Sequence, residues 1–124
     1  MSTLRDILQS TSDALFPAEL GRREVFLDSR DTDGDMPLHV ILRRKDARAA
    51  AILIEAGADV RAVGDLGLTP LHLAVRAGMT DIVTLLMQAG ANPGARDAVG
   101  VSGRGHAEQQ GGALPRALRG RARR

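Results

Sequence analysis

The sequence contains no cysteine, tryptophan or tyrosine, and only two phenylalanines among its 124 residues. A chain without cysteine forms no disulfide bond and offers no thiol nucleophile or thiolate ligand. Its apolar runs all fall short of the roughly 18 residues that a membrane-spanning helix requires. The N-terminus shows no basic segment followed by an apolar one, so the sequence predicts no signal peptide and a cytoplasmic protein.

Motifs of the familiar enzyme classes are also missing. The sequence has no Gly-x-Ser-x-Gly nucleophile elbow, no Walker glycine loop and no His-Glu-x-x-His zinc motif. The segment Gly64-Asp65-Leu66-Gly67 has the composition of a tight turn rather than of a phosphate-binding loop. We therefore expect no catalytic activity and no cofactor.

Positive charge is concentrated at one end of the sequence. The formal net charge is +2, but residues 104–124 contain six arginines against one glutamate, so they carry +5 and the remainder carries −3. Nearly all basic residues are arginine, a bias that favours a GC-rich, bacterial genome. The basic segment suggests, as an alternative function, association with nucleic acid or an anionic surface. Against that alternative, the segment lacks aromatic residues for base stacking and the apolar face of a membrane-lying helix.

What the sequence does contain is a short helix whose two ends are both specified. Thr69 is suited to the N-cap, because its hydroxyl can accept a backbone N–H of the first turn. Pro70 fits the first helical position, where its missing N–H costs nothing. Gly78 then favours the left-handed conformation in which helices end. The apolar residues between these two ends recur at helical spacing.

The blocks of this helix recur 33 residues apart. Pro37-Leu38-His39 corresponds to Pro70-Leu71-His72, and Gly57-Ala58-Asp59 corresponds to Gly90-Ala91-Asn92. A fixed period of this length indicates a repeat array. In its G-x-TPLHLA, I-V-x-L-L and A-G-A-[DN] blocks, the chain resembles the ankyrin repeat family over about residues 29–100. The resemblance implies an all-α repeat fold, an α-solenoid of stacked helix-turn-helix-hairpin units.

On this register the chain divides into five segments. They are an N-terminal helical cap (1–28), a first repeat (29–62), a second repeat (63–95), a degenerate third repeat or C-terminal cap (96–111), and a basic tail (112–124). The predicted helices are 3–16 and 18–21 in the cap, 37–44 and 47–56 in the first repeat, and 70–77 and 80–89 in the second. Residues 22–28 are expected to form an extended connection, and both phenylalanines are expected to plug the end of the stack. Two good repeats are fewer than the roughly three that an array needs, so the caps or a partner must add stability.

The first repeat departs from the family pattern at two positions. Met36 stands where the second repeat has the capping Thr69, which predicts the loss of an N-cap worth about 1 kcal/mol. Lys45 stands where the pattern has a glycine between the two helices, which predicts a non-glycine residue at positive φ. We therefore expect the first repeat to be less stable than the second. In the third repeat, Arg104 falls where a core leucine is expected, so the first helix there is poorly specified.

Two features admit a metal-binding interpretation. His39 and His72 should lie in neighbouring helices, but no third ligand of suitable type is nearby in the sequence. The resemblance instead implies that this histidine ties adjacent repeats by hydrogen bonds. Asp31-Thr32-Asp33-Gly34-Asp35 looks like the start of a calcium loop, although its glycine is fourth rather than sixth and its twelfth residue is Leu42. Aspartates also favour tight turns, and we predict no metal site.

The resemblance assigns partner contacts to the hairpin tips and to the outer positions of the first helix of each repeat. Carried over residue by residue, these positions are Arg30, Thr32, Asp33, Asp35, Arg43 and Arg44 in the first repeat, Val63, Asp65, Leu66, Leu68 and Arg76 in the second, and Arg96 and Val99 in the third. Leu66, Leu68 and Val99 are expected to be exposed in a row, and apolar fingertips favour contact with another protein. Arginines near the centre of this surface are expected to anchor an acidic partner.

The sequence thus predicts a non-catalytic protein-interaction module that binds another protein through its hairpin tips and concave helix face. An adaptor or scaffold, or a stoichiometric inhibitor such as an antidote that caps a toxic enzyme, would be a concrete form of it. Nucleic acid is the less favoured partner. The chain is expected to be a monomer or to self-associate weakly, because an unfinished last repeat exposes the flank of the helices at 70–89.

Overall fold

The computed structural model describes residues 3–19, 22–97, 100–102 and 105. The described residues form α-helices and two short 3-10 turns, and their β structure is limited to an isolated bridge between Arg96 and Ser102. The helices are α1 (Leu4–Ser10), α2 (Ser12–Leu15), α3 (Pro37–Arg43), α4 (Ala47–Glu55), α5 (Pro70–Arg76) and α6 (Thr80–Gln88). The 3-10 turns are Pro17–Glu19 and Asp65–Gly67. The predicted all-α repeat architecture is confirmed.

Two helix pairs stack side by side. Helix α3 packs against α4 and α5 against α6, while α3 also contacts α5 and α4 contacts α6. All four helices begin at the predicted residue and end one residue before the predicted end. The residue after each helix is its C-cap, whose N–H bonds back into the last turn. This matches the sequence expectation of two adjacent units in parallel register.

The core lies between the two pairs and repeats with the sequence. Leu38, Leu53, Leu71 and Leu86, one from each helix, are at most 1% exposed. Because Leu38 and Leu71 are 33 residues apart, as are Leu53 and Leu86, equivalent residues of the two units face the same interior. Burying a leucine side chain contributes about 1.5–3 kcal/mol, so this repeated set is a large part of what holds the stack together.

The N-terminal segment differs in detail from the prediction. The single helix expected over 3–16 is instead α1 and α2, separated at Thr11, whose hydroxyl donates to the carbonyl of Leu8 at 2.7 Å. A side chain that bonds to the backbone in this way competes with regular helix geometry. The helix expected over 18–21 is the 3-10 turn Pro17–Glu19, and residues 20 and 21 lie outside the described residues. Helix α1 contacts α4 and α2 contacts α3, so the segment covers one side of the first pair.

The prediction that the phenylalanines pack against the end of the stack is confirmed for Phe16 and wrong for Phe26. Phe16 packs against the core, with the Arg23 guanidinium 4.0 Å from the centroid of its ring. Phe26 is 57% exposed. It lies in the irregular connection at 22–28, which the Gln9 side chain ties to α1 through the Arg23 carbonyl at 2.8 Å and the Val25 N–H at 3.2 Å.

The two departures from the repeat pattern have the predicted local consequences. The side chain of Met36 makes no capping hydrogen bond to α3, whereas the Thr69 hydroxyl accepts the N–H of His72 at 3.3 Å. Met36 is nevertheless 2% exposed, so its apolar surface is buried where a threonine would bury less. Lys45 has φ of 61°, as expected for a non-glycine residue in the glycine position between two helices.

The third repeat is described only at its start. The Ser102 hydroxyl accepts the N–H of Gly105 at 3.0 Å, in the same register as the Thr69 cap of α5. Arg104, the rest of the poorly specified first helix of this repeat and the basic tail at 112–124 lie outside the described residues. Within the described ranges, no helix has the length and apolar character needed to cross a bilayer.

Candidate functional site

Three hydrogen-bonded turns lie at one edge of the stack, one repeat apart. In each turn the first residue donates its N–H to the carbonyl four residues later, at 2.9–3.0 Å, and the fourth residue donates back to the first at 2.9–3.1 Å. The first residues of these turns are Asp31, Gly64 and Asp97. The fourth residues are Gly34, Gly67 and Gly100, with φ of 89°, 72° and 87°. Only glycine adopts that backbone conformation without strain, which explains the recurrence of glycine at this step.

A buried histidine ties each helix pair to the next turn. Nε2 of His39 lies 3.1 Å from the carbonyl oxygen of Leu68, and Nε2 of His72 lies 2.9 Å from that of Val101. The backbone N–H of Met36 donates to Nδ1 of His39 at 3.0 Å. Because Nδ1 accepts, the neutral ring carries its proton on Nε2 and donates it to the Leu68 carbonyl. The predicted role of these histidines as inter-repeat ties is confirmed.

The environment of His39 keeps its ring neutral. Burial lowers the pKa of His39 below its ordinary value of 6.5, and this outweighs the opposing effect of the nearby Asp35 carboxylate. A protonated ring would place a second N–H against the Met36 N–H, so the observed tie depends on the neutral form.

Asp35 is a structural residue rather than an exposed fingertip. Its residue is 7% exposed, and its carboxylate pairs with the Arg43 guanidinium and accepts the backbone N–H of Asp65 at 3.0 Å. Burial would raise the pKa of Asp35, but the hydrogen bonds from Arg43 and Asp65 and the charge of Arg43 hold it below the ordinary value of 3.8. We predicted Asp35 as an exposed partner contact, and the prediction that it is exposed is wrong.

Gly64 allows the second turn to approach this cluster. A Cβ at Gly64 would lie 2.9 Å from Nε2 of His39 and closer still to a carboxylate oxygen of Asp35. Any larger residue would push the second turn away from the first. The tie between Asp35 and Asp65 occurs once, because the residue one repeat after Asp35 is Leu68, which has no carboxylate.

The tip of the second turn is apolar and exposed. Among the described residues, the exposed large apolar side chains are Phe26, Val63 and Leu66, at 57%, 55% and 65%. Leu66 belongs to this turn, and Val63 immediately precedes it. Leu68, which we expected beside them, is 4% exposed and packs into the core, so that expectation is wrong. The predicted Val99 lies outside the described residues.

Leu66 also has a strained backbone. Its φ of 61° and ψ of 20° place it in the left-handed region, which costs a non-glycine residue about 1–2 kcal/mol. The equivalent residue of the first turn, Asp33, has no positive φ, so the repeat carried no signal of this conformation. Sequence reasoning identified Leu66 as a tip residue but missed the strain.

Four of the five predicted contact arginines are engaged within the chain. Arg30 pairs with Asp59 at 3.9 Å, Arg43 pairs with Asp35, and Arg44 donates to the Ser10 carbonyl at 3.0 Å. Arg96 donates to the Gly100 carbonyl at 3.4 Å. Arg76, at the end of α5, is exposed and has no hydrogen bond or ion pair among the described residues. Thr32, Asp33 and Asp65 are exposed as expected.

The rest of the described surface offers little for chemistry. A cavity of about 580 Å³ lies between α1 and α4 and includes Arg44, Asp46 and Arg48 in its lining. Asp46 is the N-cap of α4, and its carboxylate accepts the N–H of Ala49 at 3.1 Å. No group of three or more His, Cys, Asp or Glu side chains among the described residues is arranged to hold a metal ion.

Comparison with known proteins agrees with the repeat geometry. A family model described as ankyrin repeats (3 copies) matches residues 12–97, well over half of the chain. Zygote-specific protein 3 of Chlamydomonas reinhardtii is 40% identical over 78 residues, covering 63% of this chain and 21% of that protein. B-cell lymphoma 3 protein of Homo sapiens is 38% identical over 71 residues, covering 54% of this chain and 16% of that protein.

Some relatives carry the names of enzymes. Palmitoyltransferase Hip14 of Drosophila melanogaster is 56% identical over 50 residues, covering 40% of this chain and 8% of that protein. The chain thus spans about a fifth or less of the length of these three relatives, and an enzyme name attached to the whole of one does not transfer to it. The family is typically non-catalytic. On the matched residues and the stacked helix pairs, the chain belongs to the ankyrin repeat family, whose repeats generally mediate protein–protein interaction.

Proposed function

We propose that this chain is a non-catalytic module that binds another protein through its turn tips and the exposed ends of α3 and α5, as an adaptor or as a stoichiometric inhibitor. The observation that carries the proposal is the apolar tip of the second turn. Val63 and Leu66 expose more than half of their surface there, in a chain whose other large aliphatic residues in the described ranges are buried or half-buried. Exposed apolar groups on a rigid support are typical of interaction sites.

Rigidity of the support favours binding. His39 and Asp35 hold the second turn to the first repeat, so the tips of the first two turns are fixed relative to each other. His72 makes the equivalent hydrogen bond to the Val101 carbonyl. A surface that is already ordered loses little conformational entropy when a partner docks, and less of the contact energy is offset. The proposed contact residues are Arg30, Thr32, Asp33, Arg43, Arg44, Val63, Asp65, Leu66, Arg76, Arg96 and Val99, of which Val99 remains a prediction from sequence.

A capture experiment tests the proposal. The tagged chain is used to isolate partners from the cells that produce it, in parallel with Leu66→Asp and Arg76→Glu variants. A matched control, Glu55→Arg, changes an exposed charge at the end of α4, on the second helix of its pair. We expect one partner to be retained by the control and lost, by about tenfold or more, from Leu66→Asp. If all the variants recover the partner equally well, the turn tips are not the binding surface.

The alternative, association with nucleic acid or an anionic surface through the arginine-rich end, stays a prediction from sequence. Residues 106–124 lie outside the described residues, and the described turns carry acidic rather than basic tips. We therefore assign the leading role to the turn surface.

A further inference from the structure

We infer that the surface around Leu66 takes a basic partner segment in which apolar side chains are flanked by lysine or arginine. The inference rests on the proposed function, since it names the chemistry of the partner for the same surface. It reverses the expectation from sequence, which had arginines anchoring an acidic partner.

Three arginines of the proposed surface are engaged within the chain. Arg30 and Arg43 are paired with Asp59 and Asp35, so the carboxylates beside them already balance their charges. Arg44 is turned towards Ser10 and lies against the groove between α1 and α4, away from the turn tips. Arg43 and Arg44 would have to give up internal contacts before they could bind an acidic group, and the exposed Arg30–Asp59 pair, although weak, is neutral overall.

The aspartates at the tips of the first two turns differ from these arginines. Asp33 and Asp65 are exposed, and neither carboxylate has a hydrogen bond or ion pair among the described residues. They occupy the tips of adjacent turns, and Asp65 immediately precedes Leu66. The uncompensated charge next to the apolar tip is therefore negative. Electrostatic complementarity then selects a partner with positive charge around an apolar group, and penalises an acidic one.

The backbone of Leu66 is strained at the apolar tip. Its left-handed backbone is unfavourable for leucine, and its side chain is 65% exposed, so the residue gains little from burial within the chain. Strain of this kind is a recognised mark of functional positions. A glycine at position 66 should relieve the strain and at the same time remove the apolar anchor. We therefore expect Leu66→Gly to gain stability and to lose binding, a combination that is not expected for a residue with only a structural role.

The test uses the full chain and three matched sets of short synthetic peptides. The first set carries leucines flanked by lysine and arginine, the second carries the same leucines flanked by aspartate and glutamate, and the third carries the basic residues with serine in place of leucine. Fluorescence anisotropy measures binding at low and at physiological ionic strength. We expect the first set to bind at least about tenfold more tightly than the other two, with the difference reduced by salt.

Variants then locate the binding. Leu66→Gly should raise the thermal unfolding midpoint by on the order of 4 °C and weaken binding of the first set by about tenfold or more. Asp33→Asn combined with Asp65→Asn should weaken it several-fold and flatten the salt dependence. Glu55→Gln is the matched control, because it removes an exposed carboxylate at the end of α4, outside the proposed contact residues, and it should leave binding unchanged.

Three results would overturn the inference. One is equal or tighter binding of the acidic set, another is unchanged binding by Leu66→Gly, and the third is the absence of binding by all three sets. If the acidic set binds and Arg76→Gln abolishes that binding, the inference fails while protein binding at this surface stands. If no peptide binds but the capture experiment yields a partner lost on Leu66→Asp, the proposed function likewise survives without the basic partner.

Discussion

Nε2 of His39 lies 3.1 Å from the backbone carbonyl oxygen of Leu68, so a side chain of the first helix pair fixes the turn that precedes the second. The ring is buried, and its other nitrogen accepts the N–H of Met36 at 3.0 Å. The ring thus satisfies the buried N–H of Met36 and gives the Leu68 carbonyl a second hydrogen bond, beside the one it accepts from the Gly64 N–H. The same tie recurs one repeat later, where Nε2 of His72 lies 2.9 Å from the Val101 carbonyl oxygen.

This tie predicts a pH dependence of stability. The pKa of His39 is lowered in the folded chain below 6.5, so between the two values the unfolded chain binds more protons than the native chain. The stabilisation from His39 is therefore fully present above the unfolded pKa and is lost as the pH falls through the native pKa. Urea unfolding of the wild type and His39→Gln, at about pH 7.5 and about pH 5, measures this.

We expect His39→Gln to be less stable than the wild type by about 1–3 kcal/mol at neutral pH, with the gap narrowing in acid. A gap that is constant or widens as the pH falls would contradict the assigned neutral state of His39.

Replacement of Asp35 tests the tie between the first two turns. Asp35→Asn keeps an oxygen for the Asp65 N–H but removes the charge that faces Arg43. Because the Arg43 side chain is 38% exposed, solvent screens the pair, and we expect a loss of about 1–2 kcal/mol. Chemical denaturation measures the loss, with Asp33→Asn in the same turn as the control, expected within about 0.5 kcal/mol of the wild type. Equal effects of the two variants would show that the buried carboxylate contributes nothing beyond an exposed one.

The elbow between α3 and α4 offers a stabilising substitution. Lys45 has φ of 61°, whereas the equivalent residue of the next repeat is Gly78, with φ of 71°. Lys45→Gly should stabilise the chain by about 0.5–1 kcal/mol, because glycine adopts this conformation without strain. Gly78→Lys should destabilise it by a similar amount, and a Cβ there would meet no atom within 4 Å, so no clash confuses the comparison. Thermal unfolding of both variants checks the prediction. Destabilisation by Lys45→Gly would mean that the lysine side chain contributes more than its backbone costs.

Much of the fold followed from local chemistry. The Thr69 cap, Pro70 at the first helical position and Gly78 after α5 specify that helix without reference to the rest of the chain, and the structure begins it at the expected residue. The 33-residue recurrence of these signals also indicated which helices would be neighbours. Helix ends were expected one residue too late, because a C-cap residue keeps helical dihedral angles while it leaves the hydrogen-bonded run.

The candidate site was less predictable, because exposure depends on neighbours from other repeats. Leu68 and Asp35 occupy tip positions in the sequence, yet one packs into the core and the other joins Arg43 and Asp65. Leu66 stays exposed although its sequence context is similar. The periodic sequence by itself determined the helices, their order and the positions of the turns, because caps, glycines and apolar spacing act over a few residues. Only the tertiary structure decided which charges are paired and which tips face solvent, because contacts such as Arg30–Asp59 and Asp35–Asp65 join residues about one repeat apart and the turns approach closely at Gly64.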